Sequence, residues 1–408
     1  MHTGAMRNNT ASLALLGLLF ACAPSTTDET ATDSPSTGSL GPRPGKSHPS
    51  LDDRTPSVTP EGEEPETPTT TTPTPSDGVA RPAASLGSGF FVKEGQIYDA
   101  NGAAFVMRGM NHSHAWGEQD SALAAVDAFP STGANTVRVA FMPGLGADTP
   151  AERRVVVERY LQNGIVPMVE DHRTTCSDDP ATLRAAVDEW LLPENVAWLT
   201  QYEDKIMLNI ANEWLNTTYD DDLWVAEYSA AITRLRAAGL HHMIVVDAGG
   251  SCGQNPRSIR DAGQRIVDAD PEHNVAFSLH MYAYWRTPGA SDVGSWNDHG
   301  LGSPWLVAPE VAAIRAQGLA LVVGEVGYDS FPSVGYSTKA LLQALLDVDV
   351  GFLAWSWNAN SDPRLDMTVE NYGSRFDSEA DLNDGGRLYV LDLDVGFQAT
   401  AEAATIWE

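Results

Sequence analysis

The sequence predicts an α/β protein, a (β/α)8 TIM barrel, and three observations carry that prediction. Eight short apolar runs recur roughly every 30 to 45 residues, at 104–110, 135–141, 165–170, 205–211, 242–247, 275–280, 320–325 and 351–355. Several are nearly continuous, as in Ile244-Val245-Val246 and Leu321-Val322-Val323, which is how strands of a parallel sheet read when both faces are buried. Between the runs lie helix-patterned stretches such as 151–163, 222–238, 309–317 and 338–346. Eight strand–helix units in one chain close into a barrel. A doubly wound open sheet would require a glycine-rich phosphate loop after the first strand. Asn111-His112-Ser113-His114 stands there instead.

Taken in order, the chain opens with an export pattern. Arg7 supplies positive charge ahead of an apolar run at 11–21, which is too short to span a bilayer. The run ends Leu19-Phe20-Ala21-Cys22, similar to a bacterial lipobox. Residues 1–21 therefore read as a lipoprotein signal peptide and Cys22 as the lipidation site. Residues 22–86 are dominated by Pro, Thr, Ser, Gly and acids without hydrophobic periodicity. Such a segment buries no core and reads as a disordered linker. The folded part is then 87–408. It opens with a hairpin at 89–102, with turn signals at Glu94-Gly95 and Asn101-Gly102. The eight units follow. Residues 377–386 are acidic but miss the spacing and glycine of a calcium loop, and read as a solvated loop.

The charge balance narrows the partners. The 408 residues carry 55 acidic and 25 basic side chains, a net charge of −30. That surface repels nucleic acid, anionic headgroups and polyanionic substrates, and is compatible with a neutral polymer. With Cys22 assigned to lipid, Cys176 and Cys252 remain. They fall in the loops after strands three and five and flank the strand that carries Glu213. An exported protein permits them to pair, and a disulfide is expected; two unrelated buried thiols are the alternative.

In such a barrel the active site lies at the C-terminal strand ends. Strand one ends with Asn111, His112, His114 and Trp116, and strand two contains Arg138. Strand three ends with Glu170, Asp171 and His172, and strand four with Asn212, Glu213 and Trp214. Strand five ends with Asp247 and strand six with His280, Tyr282, Tyr284 and Trp285. Strand seven ends with Glu325 and strand eight with Trp355, Trp357 and Asn358. Two glutamates on opposite strands, with aromatic platforms around them, suit hydrolysis of a glycosidic bond. A retaining enzyme needs two carboxyls about 5 to 5.5 Å apart, one as nucleophile and one as acid/base.

The phrases Phe105-Val106-Met107-Arg108-Gly109-Met110-Asn111-His112, Ala211-Asn212-Glu213-Trp214, Ser278-Leu279-His280-Met281-Tyr282, Gly324-Glu325 and Leu353-Ala354-Trp355-Ser356-Trp357 resemble glycoside hydrolase family 5, and more narrowly its bacterial β-mannanases. The resemblance runs from about 89 to 368. It implies Glu325 as nucleophile and Glu213 as acid/base, with Arg138 and Tyr282 holding Glu325. It implies Asn212 on the sugar 2-OH, His280 orienting Glu213, His172 lining the site and Trp355 stacking under the sugar. Trp116 and Trp357 are further candidate platforms, with packing as the equal alternative. No cofactor or metal is implied. The stretch Met142-Pro143-Gly144-Leu145-Gly146 lacks an aromatic that many relatives place there, and Cys252 stands near a usual Trp. Those departures touch the outer subsites. The expectation is a retaining endo-acting hydrolase of β-1,4-mannan, glucomannan or galactomannan, with a β-1,4-glucanase as the alternative on the same fold.

Two other classes compete. His112-x-His114 resembles the opening of a metal hydrolase site, which would also need Lys, His and Asp on strands four, five and eight. Glu213, Asp247 and Asn358 stand there instead. A non-catalytic sugar-binding surface lipoprotein is the second. Barrels that lose catalysis usually lose a carboxylate, and this chain keeps both.

Overall fold

In the computed structural model, the described residues are 78–116, 119–145, 148–217, 219–282, 284–286, 305–328, 337–370 and 375–408. The expected signal peptide, Cys22 and the linker up to residue 77 lie outside them. Residues 78–86, read from sequence as linker, lie against the fold. The Val79 N–H donates to Gly102 O at 2.8 Å, and the Arg81 guanidinium sits 4.5 Å over the Phe91 ring.

Eight parallel strands close into a barrel in sequence order. They are β1 (Arg108–His112), β2 (Thr136–Phe141), β3 (Val166–Asp171), β4 (Met207–Asn209), β5 (Ile244–Asp247), β6 (Val275–Met281), β7 (Ala320–Gly327) and β8 (Gly351–Trp355). β8 pairs back onto β1, Leu353 beside Gly109. All eight expected strands are present. The expected hairpin pairs Phe91–Lys93 with Gln96–Tyr98, and Glu94 and Gly95 turn it with positive φ.

Several helices start at side-chain caps. Thr149 and Glu152 form a reciprocal capping box ahead of the helix Pro150–Gln162, with proline in the first turn. Asp220 caps the long helix Asp221–Ala237, Asn255 caps Pro256–Ala269 and Ser337 caps Thr338–Leu346. The acidic stretch 377–386 is spent the same way. The Asp381 carboxylate accepts the N–H groups of Asp377 and Ser378, and Asn383 caps Asp384–Leu391.

Alternation along the strands builds two cores. Val166, Met168, Met207, Val245, Ala276, Ala320, Val322 and Leu353 fill the barrel interior, closed below by Phe90, Ile97 and Phe105 from the hairpin region. Their neighbours Val137, Val139, Val169, Leu208, Val246, Phe277, Leu321 and Val323 face the helices. The next inward positions towards the C-terminal ends are polar: Arg138, Glu170, Asn209, Asp247 and His280, all fully buried. The site is thus the top layer of the barrel's own side-chain stacking.

Candidate active site

Glu325 reaches this layer through an irregularity in β7. Ala320 and Val322 point inward and Leu321 and Val323 outward, so strict alternation would send Glu325 towards the helices. The register slips at Gly324: Val323 pairs with Leu279, and Glu325 pairs with His280. A side chain at Gly324 would place Cβ 2.3 Å from Ser278 Oγ, so with Ser278 beside it the kink is kept clear by glycine. The bulge re-aims one carboxylate into the barrel mouth.

Two donors grip that carboxylate. Arg138 Nη1 donates to Glu325 Oε1 at 2.9 Å and the Tyr282 hydroxyl donates to Oε2 at 2.6 Å. Arg138 is itself fully held. Its Nε donates to Asn209 Oδ1 (2.9 Å), Nη1 to Asn111 Oδ1 (3.1 Å) and Nη2 to Asn212 Oδ1 (2.7 Å), with the Glu170 and Asp247 carboxylates 3.5 and 3.4 Å away. Those carboxylates keep the guanidinium charged in spite of complete burial. Burial pushes Glu325 up to about 7 against the opposing pull of Arg138, His172 and the Tyr282 hydroxyl. Arg138 and the Tyr282 hydroxyl thus favour the ionised form, the one a nucleophile needs.

Glu213 follows β4 with φ +49°, a left-handed conformation that a non-glycine residue keeps only when its surroundings enforce it. Its N–H donates to Asp247 Oδ2 at 3.0 Å, its carbonyl accepts the Cys176 N–H at 3.1 Å, and its Oε1 is hydrogen-bonded to His280 Nδ1 at 2.7 Å. His280 Nδ1 also lies 3.4 Å from Glu325 Oε2. Burial and the Arg138 charge hold the His280 imidazole neutral. One carboxylate oxygen of Glu213, one of Glu325 and a ring nitrogen of His280 fall within 4.8 Å of one another. Glu213 is 7% and Glu325 3% exposed, so both carboxyls open only onto the mouth.

The other expected residues divide. Asn212 Oδ1 accepts a hydrogen bond from Arg138 Nη2, and its Nδ2 donates to Thr175 Oγ1 at 2.8 Å. His172 hydrogen-bonds Glu170 at 2.7 Å and stacks on Trp355, ring centres 5.4 Å apart. Trp355 stays 8% exposed. Trp116 stands edge-on to His172 at 5.0 Å. Trp357 corrects the sequence reading: it is fully buried, edge-on to Phe129 in the outer core, and is no sugar platform. Trp285 is likewise buried, against Trp305. Cys176 and Cys252 are bonded to each other, Cα atoms 4.8 Å apart. His112 is bound to the Tyr160 hydroxyl.

Sequence reasoning assigned no role to Glu170, Asn209 and Asp247, which brace Arg138 and Glu213 from beneath. The signal was there: each is a polar residue at an inward position of an otherwise apolar strand. Reading it requires knowing which alternate face is inside.

The chain matches the family model described as Cellulase (glycosyl hydrolase family 5) over residues 98–361. It is 36% identical to the mannan endo-1,4-beta-mannosidase of Salipaludibacillus agaradhaerens over 78% of this chain and 96% of that one. It is 32% identical to the enzyme of the same name from Streptomyces lividans, over 82% and 80%. Among solved structures, the mannohexaose complex of the Thermomonospora fusca beta-mannanase superposes with TM-score 0.65 at 29% identity, covering 79% of this chain and all of that one. The beta-mannanase of Streptomyces thermolilacinus gives TM-score 0.67 at 31% identity, covering 78% and 100%. The chain therefore belongs to glycoside hydrolase family 5.

Proposed function

We propose that the protein is a retaining endo-β-1,4-mannanase, cutting mannan, glucomannan or galactomannan internally. The observation that carries the reaction is the carboxyl pair itself. Glu213 and Glu325 oxygens lie within 4.8 Å, the separation of a double-displacement site rather than one with room for an in-line water. Glu325, oriented by Arg138 and Tyr282, attacks the anomeric carbon. Glu213 gives its proton to the departing glycosidic oxygen, and a covalent glycosyl–Glu325 ester results. Glu213 then takes a proton from water, which attacks the same carbon and releases Glu325. Asn212 is the residue assigned to the sugar 2-OH, and Trp355 the platform under the sugar.

The mannan assignment is supported by the relatives, three of which carry the name mannan endo-1,4-beta-mannosidase at 32–36% identity. A β-1,4-glucanase is the second reading. It is supported by a relative named beta-mannanase/endoglucanase A from Caldicellulosiruptor saccharolyticus, 33% identical over 62% of this chain. Matched substrates decide. The first reading predicts a higher kcat/KM on mannohexaose than on cellohexaose. The reverse order, or no manno-oligosaccharides from glucomannan, overturns it and leaves the two-carboxylate chemistry standing.

Export and lipid attachment at Cys22 belong to the same proposal, at the cell envelope where neutral polysaccharide is met. They are supported by the apolar run at 11–21 and the Cys22 that ends it. Lipid labelling of the mature protein that disappears in Cys22→Ala is the expected result.

A further inference from the structure

The loops after β3 and β5 meet over the end of β4, and what joins them is the Cys176–Cys252 bridge. Both cysteines adopt positive φ, +54° and +49°. On one side the Cys176 N–H is bonded to the Glu213 carbonyl. On the other, the Cys252 N–H donates to Asn216 Oδ1 at 3.1 Å, and the Gly253 carbonyl accepts the His280 N–H at 2.9 Å. A Cβ on Gly253 would come within 3.0 Å of His280 Nδ1 and 3.3 Å of Glu213 Cγ, so this loop lies directly against the Glu213–His280 pair. The bridge reaches the carboxyl as well: Cys176 Sγ stands 3.4 Å from Glu213 Oε2. A disulfide sulfur carries no hydrogen. It donates nothing to a carboxylate, accepts weakly from a carboxylic O–H, and displaces water from that side.

We propose that the Cys176–Cys252 disulfide is a positioning element of the acid/base: it fixes the Glu213 carboxyl against His280 and favours its protonated form. The proposal rests on the hydrolase reading above. Its physical logic has two parts. The bridge clamps the backbone that holds Glu213 in a left-handed conformation. His280, Glu325, Arg138 and Tyr282 face the same carboxyl from the barrel; the bridge adds beside Oε2 a sulfur that cannot donate, and that flank disfavours charge. Opening the bridge brings water or thiol donors to that oxygen, favours the carboxylate and weakens proton donation to the leaving group.

The test compares the intact protein with Cys176→Ala/Cys252→Ala and with wild type reduced by a phosphine and then reoxidised. Each form is checked by circular dichroism and assayed well below its own melting point. Two substrates are used: mannohexaose, whose leaving oxygen needs a proton, and 2,4-dinitrophenyl β-mannobioside, whose leaving group does not. The open forms should lose about tenfold or more in kcat/KM on mannohexaose and stay within about twofold on the aryl substrate. The basic limb of the mannohexaose pH profile should move down by about half a pH unit or more, and reoxidation should return it. Equal losses on both substrates, or an unmoved basic limb, would overturn the proposal. An intact protein inactive on mannohexaose and mannan would instead overturn the substrate reading beneath it.

Discussion

The Tyr282 hydroxyl donates to Glu325 Oε2 at 2.6 Å, and that one donor has a pH signature. A hydrogen bond to a carboxylate favours its charged form. Removing it in Tyr282→Phe makes Glu325 hold its proton more tightly, so the acid limb of kcat/KM, expected near pH 7, should move upward. A shift of about half a unit to one unit and a drop in kcat of about tenfold or more are the expected outcomes of a pH–rate series. A limb that stays put or moves down would contradict the assignment. The two glutamates give a second prediction. Glu213→Ala and Glu325→Ala should each lower kcat by about three orders of magnitude or more with melting behaviour kept. Azide should rescue Glu325→Ala with an inverted product. Both glutamates, Arg138, His280 and Tyr282 were legible in the sequence, because strand ends and family phrases mark them. Trp357 was not: an aromatic at a strand end reads the same whether it faces sugar or Phe129, and only the partner ring decides. Glu170 and Asp247 stand among the strand-end residues without a role, and Asn209 is not singled out, because their importance lies in what stands above them.

At the scale of elements, β7 shows what a period of two cannot convey. Alternation from Val322 predicts an outward Glu325; the slip at Gly324 turns it inward, and a slip is visible only against the partner strand. Gly324→Ala tests this. The new Cβ would sit 2.3 Å from Ser278 Oγ but an ordinary 3.5 Å from Ser278 Cβ and 3.4 Å from His280 Nε2. Gly324→Ala alone should therefore destabilise by about 1–3 kcal/mol and lower kcat, because relieving the Ser278 Oγ clash shifts β7 and the Glu325 it carries. Ser278→Ala in the same chain should restore much of both. A double variant as impaired as the single one would place the strain in the backbone instead. The eight strands themselves were readable, since buried parallel strands are apolar runs. Residues 78–86 read as linker because what holds them is local and polar, the Val79 N–H on Gly102 and the Arg81 guanidinium on Ser85, Gly89 and Phe91, in a segment that has no periodicity to read. A chain beginning at residue 87 loses the Val79–Gly102 hydrogen bond and the Arg81–Phe91 contact. It should melt about 2–4 °C below a chain beginning at residue 78, with unchanged kcat. Identical melting would show that those contacts contribute nothing.

For the whole molecule, the barrel does the positioning and the loops above it do the tuning. Its interior is apolar at the bottom and polar at the top, so eight strands bring Arg138, Glu170, Asn209, Asp247, His280 and Glu325 to one level from positions spread over most of the folded chain. The net charge of −30 keeps that site suited to an uncharged polymer. Double displacement by Glu213 and Glu325 is tested most directly by the anomeric configuration of the product at the moment it forms. Proton NMR of mannohexaose digested by the intact protein, followed before mutarotation, should show the β-anomer first, giving way slowly to the equilibrium mixture. The α-anomer appearing first would mean inversion, and would contradict the mechanism whatever the substrate preference.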